Sequence, residues 1–355
     1  MGKKFFKNKK VFYQSLFFIL AIVFIIVFVK QFGKLSQAIL TLSQGSWYFL
    51  IAIAGIQILG IANRGALYHS LYDFFGSRES LKRLILLTLT SNFVNLVAPA
   101  AGFSGMAIFV SEAERQGMSK GRALFVNIFA YFLIYGTFIL ILLFGLFYLM
   151  FNHQLYRYQI ATASVLFGMI LLLAIIALIA LEGAAKLKRL IGFIARGINY
   201  VVRLIKVRGV KSKLISEENI YTLSREVALG LKLIKTKWRG LWLPVFHVFL
   251  MEAIDILTLY YLFLAFKYPI YPGTLIAAYA IGFLFALVSI TPNGIGIVEA
   301  IMIVVLTNLS VPVELAAIAV LGYRLFTFWI PFALGFGAFR IYQKDKIIQI
   351  ENGSC

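Results

Sequence analysis

Five ionisable side chains stand out in the apolar runs of the chain, where an unpartnered charge is costly and such residues usually serve a function. Glu252 and Asp255 lie near the middle of one run at i and i+3, so a helix puts them on one face. Arg324 lies about ten residues into the last run, roughly 15 Å deep at a rise of about 1.5 Å per residue. Glu299 follows the break Pro292-Asn293-Gly294-Ile295-Gly296 by one helical turn or less, and Arg64 falls toward the inner end of the second run. With Asn92, Asn95 and Asn293, the groups Glu252, Asp255, Glu299 and Arg324 can line a polar cavity for a charged or zwitterionic lipid head group. There Arg324 and the free amides of a half-helix would hold phosphate, and the carboxylates would hold an amine. The plainer arrangement is a set of neutralising pairs that tie helices together, with Arg64 snorkelling to the interface. Both arrangements are consistent with the residues.

Other chemistry has little support. No Ser/His/Asp set, phosphate-binding glycine loop or Cys/His metal spacing occurs, so no catalytic residue, metal or cofactor is expected. His69, His153 and His247 are scattered, and His247 reads as a satisfied core histidine. The single cysteine is Cys355, which excludes a disulfide within the chain.

The elements that must position these groups follow from composition. Of 355 residues, 61% are hydrophobic and 14% charged, and the mean hydropathy is +0.91. A soluble domain carries roughly a quarter charged residues, so lipid must solvate this chain. The net charge of +20 gathers in islands between apolar runs, which points to anionic head groups and away from nucleic acid. About 20 apolar residues cross a bilayer as a helix. Residues 11–29, 47–67, 122–150, 159–181, 241–266 and 314–340 meet that measure. Two further stretches are interrupted, 84–110 around Pro99 and Gly102, and 273–309 around Pro292, Gly294 and Gly296. The expected fold is an all-α integral membrane protein with about six full spans plus two inverted interrupted helix pairs, re-entrant or short hairpins.

Charge bias orients it. Lys3, Lys4, Lys7, Lys9 and Lys10 put the N-terminus in the cytoplasm, and residues 183–240 carry 14 Lys/Arg on the same side. Both termini of a multi-pass cell-membrane protein are then cytoplasmic. No small-residue cleavage site precedes Lys30, so the first run is an uncleaved anchor. Within the basic loop, residues 184–208 alternate cationic and apolar residues, as in a helix lying on anionic phospholipids, and residues 217–233 suit a second helix. The blocks 81–151 and 273–342 both read as interrupted hairpin, turn, full span, and they open from opposite sides. Paired breaks in inverted halves point to a transport site near mid-bilayer.

The stretch Ile290-Thr291-Pro292-Asn293-Gly294-Ile295-Gly296-Ile297-Val298-Glu299, with Arg324 25 positions after Glu299, resembles the lysylphosphatidylglycerol synthetase transmembrane, or flippase-like, family. That family includes the membrane half of the multiple peptide resistance factor. Ala98-Pro99-Ala100-Ala101-Gly102-Phe103-Ser104-Gly105 is similar to its first proline-glycine segment, and Arg64 to its second-span arginine. Many relatives carry a Gly-Glu pair and an arginine in that first segment, whereas this chain has Ser104-Gly105. The resemblance implies a flippase for a phospholipid such as lysylphosphatidylglycerol, or for a polyprenyl-linked lipid. Alternatives are a phosphatidylglycerol lysyltransferase-type enzyme, whose soluble transferase domain this sequence lacks, and an ion-coupled small-solute transporter using Glu252 and Asp255.

Overall fold

The computed structural model describes residues 45–97, 103–181, 186, 189, 192, 217–289 and 291–351. The expected anchor at 11–29, the break residues Pro99 and Gly102, and nearly all of the basic stretch 184–208 lie outside the described residues.

Eleven α-helices and no strand occur among the described residues. Four are apolar and long: α1 (Trp47–Phe74), α4 (Lys120–Phe151), α5 (Arg157–Leu181) and α7 (Trp242–Ala265), the last led in by a 3-10 turn over Trp238–Leu241. A fifth long rod joins α10 (Val313–Arg324) to α11 (Ile330–Glu351) through a π-helical turn, Leu325–Trp329. These five segments are long and apolar enough to cross a membrane. Four others fall short of the ~20 residues needed: α2 (Leu81–Val97), α3 (Phe103–Arg115), α8 (Pro272–Val288) and α9 (Ile297–Asn308). The remaining helix, α6 (Glu217–Thr236), packs its Gly230 against Phe125 of α4. Among the described residues, Val165, Leu171, Leu172 and Leu178 of α5 are exposed, an apolar face suited to lipid. The chain is an all-α, multi-pass membrane protein.

Helix ends are set locally. Gly76 (φ 84°) ends α1 with its amide on the Asp73 carbonyl, while the Ser77 amide reaches back to Tyr72. That left-handed stop satisfies carbonyls the helix leaves orphaned. His153, Lys267 and Ser310 hold the same positive φ after α4, α7 and α9, without glycine's freedom.

The helices α1 and α7 pack antiparallel, with Gln57 on Thr258 and the Ser46 amide on the Ala265 carbonyl. Trp47 stands exposed at one end of this pair and Trp238 and Trp242 at the other, the pattern of residues anchored at two membrane surfaces. Glu252 is ten residues from Trp242, or about 15 Å along the axis, so it lies near the middle of the apolar layer.

Both short-helix pairs lean on the last rod from opposite halves. Going up α2, Arg83 meets Asp345 at 2.7 Å, Leu89 faces Gly335, Phe93 stacks on Phe332, and Leu96 packs with Phe328. The α2–α3 hairpin therefore occupies the half from Phe328 to Asp345. The α8–α9 hairpin occupies the other half, with Val298, Met302 and Val305 sharing a core with Ala316, Ala319 and Tyr323. The end of α2 meets the turn of the second hairpin: Leu96, Ile295 and Phe328 form one buried cluster.

Candidate functional site

The second tip is built around an arginine. After α8 the chain makes a 3-10 turn over Pro292–Gly294 in which Asn293, Gly294 and Gly296 all take positive φ (52°, 69° and 85°). A Cβ on Gly294 would lie 2.9 Å from the Ala286 backbone, so this turn needs glycine for space as well as conformation. Glu299, in the first turn of α9, accepts from the Gly296 amide at 2.6 Å. Its other oxygen takes the Arg324 Nε–H at 2.8 Å, and both side chains are 8% exposed. Arg324 Nη2 donates to the Asn293 carbonyl at 3.2 Å, and its guanidinium lies 4.5 Å from the Phe328 ring centre. Arg324 is thus committed to the tip that its own rod presses on, and not to an open anion site.

Arg64 is the second feature. It sits at the eighteenth of 28 positions in α1, because that helix runs on to Phe74 instead of stopping near Leu67. The Phe74 end of the helix is then about 15 Å along the axis from its Cα, too far for the expected snorkelling. Instead Nη2 meets Asp255 Oδ2 at 3.2 Å, a long contact, and the Arg64 side chain stays 26% exposed against 11% for Asp255. Its guanidinium borders a narrow crevice between α1, α2 and α11, lined also by Gln57, Thr88, Leu89, Asn92 and Pro331. That crevice has room for about one water.

Glu252 is held separately. It is buried, and Tyr279 of α8 donates to its Oε2 at 2.6 Å. Tyr279 in turn meets the ring of Tyr323 edge-on at 6.4 Å, next in chain to Arg324. The four charges expected around one cavity are therefore divided, with Arg324 on Glu299, Asp255 on Arg64 and Glu252 on Tyr279. They form a polar belt across α1, α7, α8 and the last rod. The reason is burial: a polar or charged group away from water costs free energy unless it is partnered, and each of these has a partner on a facing helix.

The asparagines also separate. Asn92 lines the Arg64 crevice, whereas Asn95 Oδ1 accepts the Gly105 amide at 2.6 Å and closes α2 onto α3 near the first tip. Gly105 sits so tightly against Ser91 and Asn95 that no Cβ fits. His247 is satisfied by Asn63, at 2.7 Å between Nδ1 and Oδ1.

One cluster was missed by the sequence reading. Arg83 links Glu112 (2.8 Å) and Asp345 (2.7 Å), and Arg115 adds a bond to Glu112 at 3.0 Å. Beside it Glu79 is buried with Oε1 lacking a hydrogen-bond partner, and burial, then the neighbouring Glu112, push its carboxyl up from 4.5. Only its position at the base of the first hairpin signals it, since its members span 262 residues of sequence. Among the described residues no group of three or more His, Cys, Asp or Glu could hold a metal ion.

Comparison with known proteins agrees with this architecture. A UPF0104 membrane protein of Methanocaldococcus jannaschii is 27% identical over 340 residues, covering 94% of this chain and 96% of that protein. No solved structure matches. The family model for the lysylphosphatidylglycerol synthase TM region matches residues 14–335, most of the chain including both hairpins, the Arg64 crevice and the Glu299–Arg324 pair. This protein belongs to the lysylphosphatidylglycerol synthase transmembrane-region family.

Proposed function

We infer that the chain is a flippase-like transporter, moving a lipid with a charged head group between leaflets while the acyl chains stay in the bilayer. The observation that carries this reading is the meeting of two sub-length helix pairs, the end of α2 against the turn before α9 at Leu96, Ile295 and Phe328. Irregular backbone at such depth persists only where protein covers it or where it lines a passage. The state described is closed, since the crevice has room for only about one water; a head group passes only when the hairpins part.

Arg64 is the group suited to the lipid phosphate. Its accessible side chain shares a single nitrogen with Asp255 at long range, which leaves guanidinium donors for phosphate oxygens. Glu299 and Arg324 stay paired and serve as the pivot. In this reading blocks 81–151 and 273–342 act as inverted halves, and charge bias sets both termini in the cytoplasm of a cell-membrane protein. Lysylphosphatidylglycerol is one candidate cargo and a polyprenyl-linked phosphate another.

The test is reconstitution in vesicles with labelled lipids of differing head group. Exchange above empty vesicles is expected for at least one, reduced at least tenfold by Arg64→Gln and abolished by a cross-link between cysteines placed at 96 and 295 in a Cys355→Ser background. Exchange equal to empty vesicles for every lipid offered overturns the reading.

A further inference from the structure

At the basic end of the bundle two connections run side by side, residues 75–80 between α1 and α2 and residues 116–119 between α3 and α4. Phe75, at the start of the first, is clamped edge-on by Phe125 and Phe129 of α4 at 5.5 and 6.1 Å. Between the connections lies an open polar hollow bordered by Ser77, Arg78, Gln116, Gly117 and Arg122, with Met118 beneath. A Cβ built on Gly76 or on Gly117 meets nothing within 4 Å, so neither connection fills this space.

The charges around the hollow are unbalanced. Two arginines border it and no carboxylate does. Arg78 is exposed and enters none of the ion pairs among the described residues. Arg122 reaches Glu226 only at 3.4 Å, and its side chain remains 45% exposed. The hollow sits where α1 ends at Phe74 and α4 begins at Lys120, the level of the membrane surface, where phospholipid phosphates are concentrated.

We propose that this hollow binds a phosphate, that of an anionic phospholipid head group, with Arg78 and Arg122 as its two cationic contacts. A guanidinium presents paired N–H donors that match phosphate oxygens, and two of them suit a monoanionic phosphodiester. A choline head group offers the same phosphodiester but adds a cation that the arginine pair repels, so it gains less. The site is distinct from the Arg64 crevice, which lies in mid-bundle. Occupancy joins the connection entering the first hairpin to the connection leaving it, so a bound lipid braces that hairpin's base from outside.

The full chain, delipidated in detergent, is titrated with short-chain phosphatidylglycerol or phosphatidylcholine, and bound lipid is counted by native mass spectrometry. Phosphatidylglycerol is expected to bind at least tenfold tighter than phosphatidylcholine. Arg78→Gln and Arg122→Gln should each weaken it about tenfold, the loss of one charged hydrogen bond. Glu226→Gln, which frees Arg122 and touches neither connection, should tighten it two- to threefold. Equal affinity for the two lipids, or unchanged affinity in the double glutamine variant, overturns the proposal. Displacement by millimolar inorganic phosphate, with phosphatidylglycerol no better than phosphatidylcholine, keeps the anion site but overturns the lipid assignment.

Discussion

In the α8–α9 hairpin the charges sit at the tip, where Glu299 and Arg324 are sealed from solvent, whereas in the α2–α3 hairpin they sit at the base, where Arg83 joins Glu112 to the partly exposed Asp345. The first hairpin's tip is closed by an uncharged contact, Asn95 to the Gly105 amide. The second hairpin's base is apolar, around Leu306 and Val311. A buried ion pair in a low-dielectric interior cannot part without stranding a charge. A pair near water can open and let solvent take over its groups. The second hairpin is thus fixed at its tip and the first is releasable at its base, so motion belongs to the first.

Breaking the sealed pair gives the largest effect. Arg324→Met or Glu299→Gln alone should cost about 3–5 kcal/mol, read from unfolding in detergent, and the double variant should recover much of it because no lone charge remains. A double variant as unstable as either single one would show that the pair is not the fastener. Arg83→Gln at the other hairpin should cost less, about 2 kcal/mol, as its partners can turn to water. It should also raise amide exchange over residues 103–115 but not over residues 297–308.

The Glu79 carboxyl sharpens the same contrast through pH. Burial and the nearby Glu112 raise its pKa in the fold above 4.5, against the pull of Arg83, the Ser80 amide and Arg115. The fold therefore favours its protonated form, a contribution present at low pH and lost as pH rises through the raised value. Glu79→Gln should raise the melting temperature at pH ~7–8, with the gain vanishing near pH ~4. The smallest effect is expected away from both charge clusters. Ser310 holds φ 67° at the end of α9, and Ser310→Gly should add about 1 kcal/mol by relieving that left-handed backbone.

Much of this was legible in the sequence where the signal is local. The apolar runs gave the long helices that are described, and Pro292, Gly294 and Gly296 gave the second break. The motif spacing singled out Glu299 and Arg324 but not their pairing, which the structure makes at 2.8 Å in place of the phosphate expected at Arg324. What the sequence did not disclose is partner choice. Glu252 and Asp255 share a helix face, yet one goes to Tyr279 of α8 and the other to Arg64 of α1, because two helices flank that face. Tyr279 carries no mark of its role in an apolar run. Glu112, Arg83 and Asp345 read singly as interfacial charges, and only the antiparallel packing of α2 on α11 collects them. The end of α1 was misjudged because Tyr68, Tyr72 and Phe75 extend the apolar face past Leu67.

The π-helical turn at Leu325–Trp329 sets the facing of one half of the last rod against the other. An added residue in a helix that turns about 100° per residue swivels everything beyond it by that angle. Arg324 addresses one tip while Phe332 and Gly335 address α2 under that offset. Ironing out the bulge would swing this aromatic row off α2 and into the lipid, uncoupling the first hairpin while leaving the arginine seated. The rod therefore works as two coaxial cams, and deleting a single residue between 325 and 329 should mis-set one against the other.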